Sequence, residues 1–158
     1  IYIYGQTARD LVVYAYNLDK LCKWQEAKTL LLKLLKKDSI SKHTLNYLSY
    51  KLALKNQDLD LALSLIKKAL ILDPENGFFL DTLGWVEFKR KNYNKAVFFL
   101  EKSVSILPKS YEVLDNLGDC YLMLNQNKEA IFEWKKAIKY ETNVEIVKKI
   151  RDKLIRYG

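Results

Sequence analysis

The sequence predicts an all-α solenoid: a superhelix of stacked antiparallel helix pairs, closed by a last helix. Three observations predict it. Glycine and proline are scarce, five and two in 158 residues, too few for the closely spaced turns of a sandwich or barrel. Two stretches align at an offset of 34 residues, FLDTLGWVEFKRKNYNKAVFFLEKSVSILP from Phe79 and VLDNLGDCYLMLNQNKEAIFEWKKAIKYET from Val113. Small and apolar residues recur inside that period at helical spacing.

With Pro108 as position 32, the frame divides the chain into 8–41, 42–76, 77–110 and 111–144, the second unit being one residue longer. In the first half of each unit, position 4 is Leu11, Leu45, Leu80 and Leu114, and position 7 is Tyr14, Leu48, Leu83 and Leu117. Position 8 is small where two helices must cross: Ala15, Ser49, Gly84 and Gly118. In the second half, position 20 is Ala27, Ala62, Ala96 and Ala130. Position 24 is large (Leu31, Ile66, Leu100, Trp134), and position 27 is Leu34, Ala69, Ser103 and Ala137. Such stripes place one apolar face on each helix, and a helix pair too small to bury its own stripe stacks on the next. The extra residue falls in KNQDLDLA, the turn between the helices of the second unit, where an insertion disturbs least.

Start signals mark the boundaries. Ser41, Asn76 and Ser110 precede first helices as N-caps, and Asp58 and Asp60 read as the start of the second helix of the second unit. Thr142 with Glu145 reads as a capping box opening a last helix at about 144–156, within the closing segment 145–158. That helix carries Val144, Ile146, Val147, Ile150 and Leu154 on one side. Lys148, Lys149, Arg151, Asp152 and Lys153 form the other, the polar back a solenoid end needs. Residues 1–7, IYIYGQT, read as the end of a preceding helix or truncated repeat, with further repeats expected upstream.

The formal charge is +8, but only four of the 27 basic residues are Arg (Arg9, Arg90, Arg151, Arg156). Phosphate-gripping sites favour the planar Arg fork, so the Lys excess reads as a solvated surface rather than a nucleic-acid footprint. No run of about eighteen apolar residues is present to span a membrane. Chemistry is also sparse. His43 is the only histidine, and no zinc spacing or phosphate loop occurs. Cys22 and Cys120 lie about three repeats apart, beyond disulfide reach, and read as small helix-packing residues. Asp115 and Asp119, at i and i+4, could share a cation or simply form a solvated groove face. No metal, cofactor or catalytic residue is expected.

Over about 8–144 this frame resembles the tetratricopeptide-repeat family, which implies a right-handed superhelix with a C-terminal capping helix. Departures are modest, with Glu87 at position 11, usually aromatic, and only Pro74 and Pro108 keeping the repeat-ending proline. The run from LNYLSYKLA through ALSLIKKALILDPENGFFLDTLGWVEFKRKNYNKAV to LDNLGDCYLMLNQNKEAIFEWKKAI is similar to the C-terminal repeats of a group of bacterial proteins. Many of these are exported or tethered to the outer membrane, and some are adaptors. The resemblance implies a non-enzymatic interaction scaffold in the periplasm or at the outer membrane, with the cytoplasm as the alternative. It further implies a ligand groove lined by first-helix positions 2, 5, 9, 12 and 13. Here those positions give Tyr16, His43, Asn46, Tyr50, Phe78, Asp81, Trp85 and Phe88, then Glu112, Asp115 and Asp119 with Asn116 beside them. Relatives that clamp a C-terminal carboxylate use Lys or Arg where this chain has Asp81 and Asp115, so that mode is not expected. Two readings stay open: a groove, aromatic at one end and acidic at the other, for an apolar and basic peptide or helix, or aromatic residues that merely shield the helices. Rival functions are the regulatory part of a larger enzyme and nucleic-acid binding through the basic outer surface.

Overall fold

The computed structural model describes residues 8–36 and 41–158; the expectation for 1–7 lies outside them. Nine α-helices and no strands occur among the described residues. They are α1 (Ala8–Lys20), α2 (Trp24–Leu35), α3 (Lys42–Leu54), α4 (Leu59–Leu72), α5 (Gly77–Lys89), α6 (Tyr93–Ile106), α7 (Tyr111–Met123), α8 (Asn127–Tyr140) and α9 (Val144–Tyr157). Helices pack in consecutive pairs, α1 with α2 through α7 with α8, and α9 lies on α8. The first helices of later pairs also touch in series, α3 with α5 and α5 with α7. That row forms one face of the molecule.

Packing follows the small and large positions of the 34-residue period. The alanines at position 20 are completely buried, as are Leu31, Ile66, Leu100 and Trp134 at position 24. Each of those large side chains is worth roughly 1.5–3 kcal/mol of burial. Opposite them, the small residue at position 8 lets the helices cross. A methyl group added at Gly84 would stand 2.6 Å from Leu100 Cγ, and one at Gly118 2.5 Å from Trp134 Nε1. Two buried serines reach across as well as pack: Ser49 Oγ donates to the Ala62 carbonyl and Ser103 Oγ to that of Gly77, both at 2.8 Å. Tyr14 breaks the pattern. It takes position 7, where Leu48, Leu83 and Leu117 are buried, yet it is 49% exposed, lining an open cleft with Leu18 and with Gln25 and Leu30 of α2.

The turns inside the pairs share one device. Cys22, Asn56, Lys91 and Asn125, all at position 15, adopt positive φ of 52–64°. In each turn the following residue's N–H reaches back five residues: Lys23 to the Leu18 carbonyl, Gln57 to Leu52, Asn92 to Glu87 and Gln126 to Tyr121. This is a Schellman closure, usually built on glycine. In the second pair the turn spans 55–58 rather than three residues, and the extra residue, Asp58, is itself left-handed at φ 43°.

Several start signals act differently from the expectation. Ser41 Oγ accepts from the Thr44 N–H and Asn76 Oδ1 from those of Phe78 and Phe79, as N-caps do. Ser110 holds the N-cap position of α7 without a side-chain bond. The Thr142 capping box does not form, because Asn143 takes the N-cap of α9, its side chain accepting from the Glu145 and Ile146 N–H groups. Asp58 makes no cap bond; it pairs with Lys28 at 2.5 Å, and Asp60 pairs with Arg90, so both tie neighbouring pairs together. Cys120 is buried as expected, whereas Cys22 is exposed in a turn and packs no helix.

Candidate functional site

The first-helix row presents the residues singled out from the sequence in a graded order. At its N-terminal end Val12, Val13 and Tyr16 of α1 face Ser41, His43 and Thr44 at the start of α3. With Arg9 they line a cleft of about 390 Å³. Tyr16 is fixed there: its ring meets Tyr47 edge-on at 4.3 Å, and its hydroxyl lies 3.3 Å from Thr44 Oγ1. His43 is exposed and packs edge-on against Phe79 at 5.6 Å. Below the cleft, Asp19 accepts hydrogen bonds from Tyr47 Oη at 2.6 Å and Lys51 Nζ at 2.7 Å, a carboxylate fully matched by its neighbours.

The middle of the row is aromatic. Trp85 and Phe88 stack with ring centres 5.0 Å apart and planes 7° from parallel, and Lys89 Nζ sits 4.7 Å from the Trp85 ring centre. Tyr50 of α3 and Phe78 of α5, on the same row, are 38% and 58% exposed. Asn46 Oδ1 and Trp85 Nε1 are buried and have no hydrogen-bond partner among the described residues. They stand at position 5 of one repeat and position 9 of the next.

Next come the carboxylates. Asp81, half-buried on α5, accepts a hydrogen bond of 3.0 Å from Asn116 Nδ2 on α7. Burial drives its pKa up to about 6; the Asn116 bond works against that rise, and the Glu112 charge adds to it. Tyr50 titrates above its usual range through burial and the charges of Glu112 and Asp81. Tyr50, Asp81 and Glu112, from α3, α5 and α7, therefore share one electrostatic neighbourhood. Among the described residues, Glu112 engages the Tyr111 hydroxyl by a hydrogen bond of 3.3 Å.

Asp115 and Asp119 are brought together, but α9 fills the space between them. Lys153 Nζ bonds Asp115 Oδ1 at 2.7 Å and Asp119 Oδ1 at 2.6 Å, lies 5.6 Å from the Trp134 ring centre, and Trp134 Nε1 donates to the same Asp119 oxygen at 3.2 Å. Burial still pushes the Asp115 pKa up, with Lys153 opposing and Asp119 reinforcing the rise. Lys153 thus faces inward, not on the solvated back of α9 where the hydrophobic pattern placed it. Counting α9 as a fifth first helix puts Lys153 at position 9, and that count would have revealed it. Val12, Val13 and Arg9, missed from the sequence, enter the site through the cleft.

Taken in order along the row, these groups form a ladder: Val12 and Tyr16 beside Thr44, Asn46 and Trp85 without partners among the described residues, Asp81 with Asn116, and Asp115 and Asp119 with Lys153. The row grades from apolar through unmatched polar to acidic, and ends in a cation belonging to the chain itself. Among the described residues no group of three or more His, Cys, Asp or Glu could hold a metal, and no helix is long and apolar enough to cross a membrane.

Residues 111–143, which carry α7 and α8, match the family model of the tetratricopeptide repeat. No curated protein sequence matches the chain. Solved structures share its architecture. TTC0263, a thermophilic tetratricopeptide-repeat protein of Thermus thermophilus, superposes with a TM-score of 0.77 at 18% identity, over 94% of this chain and 83% of that one. MamA from Desulfovibrio magneticus RS-1 gives 0.72 at 22% identity, over 88% of this chain and 78% of its own. PilF of Pseudomonas aeruginosa gives 0.73 at 24% identity, over 89% of this chain and 64% of that one. At these identities the likeness is one of fold.

Proposed function

We propose that this tetratricopeptide-repeat chain is an interaction scaffold whose first-helix row, the concave face of such a fold, holds an apolar and basic segment of a protein partner. The observation that carries the reading is a mismatch in the ladder. Asp19 is answered by Lys51 and Tyr47, and Asp115 and Asp119 by Lys153. Asp81 and Glu112, by contrast, form no ion pair among the described residues; both charges act on the exposed Tyr50, and exposed Phe78 shares the row with them. Aromatic surface supplies desolvated contact, and uncompensated carboxylates supply orientation and steering for a basic side chain. A phosphate backbone would meet those same carboxylates in repulsion, which counts against nucleic acid in the groove.

Site-specific photocrosslinking tests the proposal. A benzophenone side chain is placed at Tyr50, in the row, or at Phe98, an exposed ring of α6, and irradiated in the source cells. Capture of a protein from position 50 but not 98, lost on Glu112→Lys, supports the scaffold groove. Capture from position 98 alone, or of nucleic acid at either position, overturns it.

A further inference from the structure

The ladder also says what shape and register of ligand fits, an inference that rests on the groove reading above. Two places on the row accept something the chain does not itself provide. One is the apolar cleft between α1 and α3, about 390 Å³, with Val12, Val13 and Tyr16 in its walls. The other is the pair Asp81 on α5 and Glu112 on α7. The structure shows in its own next step how such carboxylates are satisfied: Lys153 enters between Asp115 and Asp119 from a packed element and lies against the Trp134 ring. Asp81 meets the neutral Asn116 instead, and among the described residues it forms no ion pair.

The distance between the two places follows from helix packing. Adjacent helix axes lie 8–10 Å apart, and two steps along the row separate the cleft from the carboxylate pair, roughly 16–20 Å. An extended chain advances about 3.3 Å per residue, so roughly five or six residues cover that span. A helix rising about 1.5 Å per residue would need about twice as many residues for the same span.

We infer that the ligand is an extended peptide segment with a large apolar side chain for the α1–α3 cleft and, roughly five or six residues away, a Lys or Arg for Asp81 and Glu112. Its charge complements the uncompensated pair, and its register is set by the helix spacing. Lys153 bars the next step of the row, so the basic residue marks the end of the bound stretch.

The probes are fluorescein-labelled peptides of Gly, Ser and Ala carrying one Phe and one Arg at increasing separations, titrated by anisotropy against the whole chain at low salt. Affinity is expected to peak at the five- or six-residue separation. There the Asp81→Asn, Glu112→Gln variant, checked for helicity, should bind about five- to tenfold more weakly, the same loss as replacing Arg by norleucine in the peptide. Binding indifferent to separation, or unaffected by neutralising the two carboxylates, overturns this inference. If such binding is still lost in Tyr50→Ala and Trp85→Ala, the groove reading stands without it. Binding that ignores those two variants as well, or no binding by any peptide, removes the groove as the site for this class of ligand.

Discussion

Lys153 Nζ lies 2.6 Å from Asp119 Oδ1, and this contact fastens the last helix to the first helix of the fourth repeat. The same ammonium holds Asp115 at 2.7 Å. Both carboxylates and the lysine are about three-quarters buried, so the cluster is held in a setting where losing one partner matters.

Lys153→Ala therefore leaves two carboxylates facing each other without a cation. Stability should fall by about 1–2 kcal/mol, between the small effect of exposed pairs and the larger one of fully buried pairs. Urea unfolding at neutral pH measures it, and adding Asp115→Asn and Asp119→Asn should restore most of the loss. An unchanged midpoint in the single variant would show that the cluster holds nothing.

Asp81 predicts a pH dependence with a definite sign. Its carboxyl, pushed up to about 6, is faced by Glu112 and Asn116 of α7, Tyr50 of α3 and the Cys120 thiol. The folded chain holds this proton more tightly than the unfolded chain, so the contribution is whole below pH 4 and is lost as pH rises through about 6. Asp81→Asn keeps an acceptor for Asn116 and never ionises. It should exceed the parent by about 1–2 kcal/mol above pH 7 and match it near pH 4. Denaturant curves across that range give the difference directly.

Gly118 and Gly84 occupy the same crossing position but face different neighbours. A methyl at Gly118 meets the Trp134 ring, which is completely buried and bonded to Asp119, whereas one at Gly84 meets the Leu100 side chain. Overpacking costs about 1–3 kcal/mol and the gain in helix propensity returns about 1 kcal/mol. Gly118→Ala should be destabilising and should shift Trp fluorescence. Gly84→Ala should cost less, since leucine can change rotamer. Thermal melts of the two variants rank them.

The cysteines should react separately. Cys22 is exposed, whereas Cys120 is buried and its thiol is pushed far up by burial and by the charges of Asp119 and Asp81. Only a thiolate attacks, so a disulfide reagent should titrate one equivalent promptly in the native state. The second should appear only with denaturant. Mass mapping identifies which residue carries the first label.

Much of this was legible because packing imposes a period. Ala27, Ala62, Ala96 and Ala130 announce a close crossing in any helical frame, and their complete burial follows. What escaped was governed by other rules. Thr142 and Asn143 are both good caps, and only the backbone decides that Asn143 closes α9. The left-handed residue at position 15 was invisible because Cys22 and Lys91 stand where glycine would have advertised it. Lys153 was assigned by hydrophobic pattern to the outer side of its helix, but a lysine stem long enough to reach two aspartates does not obey that pattern. Tyr14 had the right spacing for the core, yet spacing alone does not supply a neighbour.

The chain packs each helix chiefly on those next to it in sequence, which gives it the mechanics of a spring. Strain applied at its ends is shared among the joints rather than resisted by one central core. The Asp81–Asn116 and Asp115–Lys153 contacts lie across those joints, so they are also the gauge marks along which the coil lengthens or shortens. A peptide seated from α1 to α7 would clamp three consecutive joints at one pitch. Stretching the molecule between two anchored ends would move the cleft and the carboxylates out of register and loosen its hold.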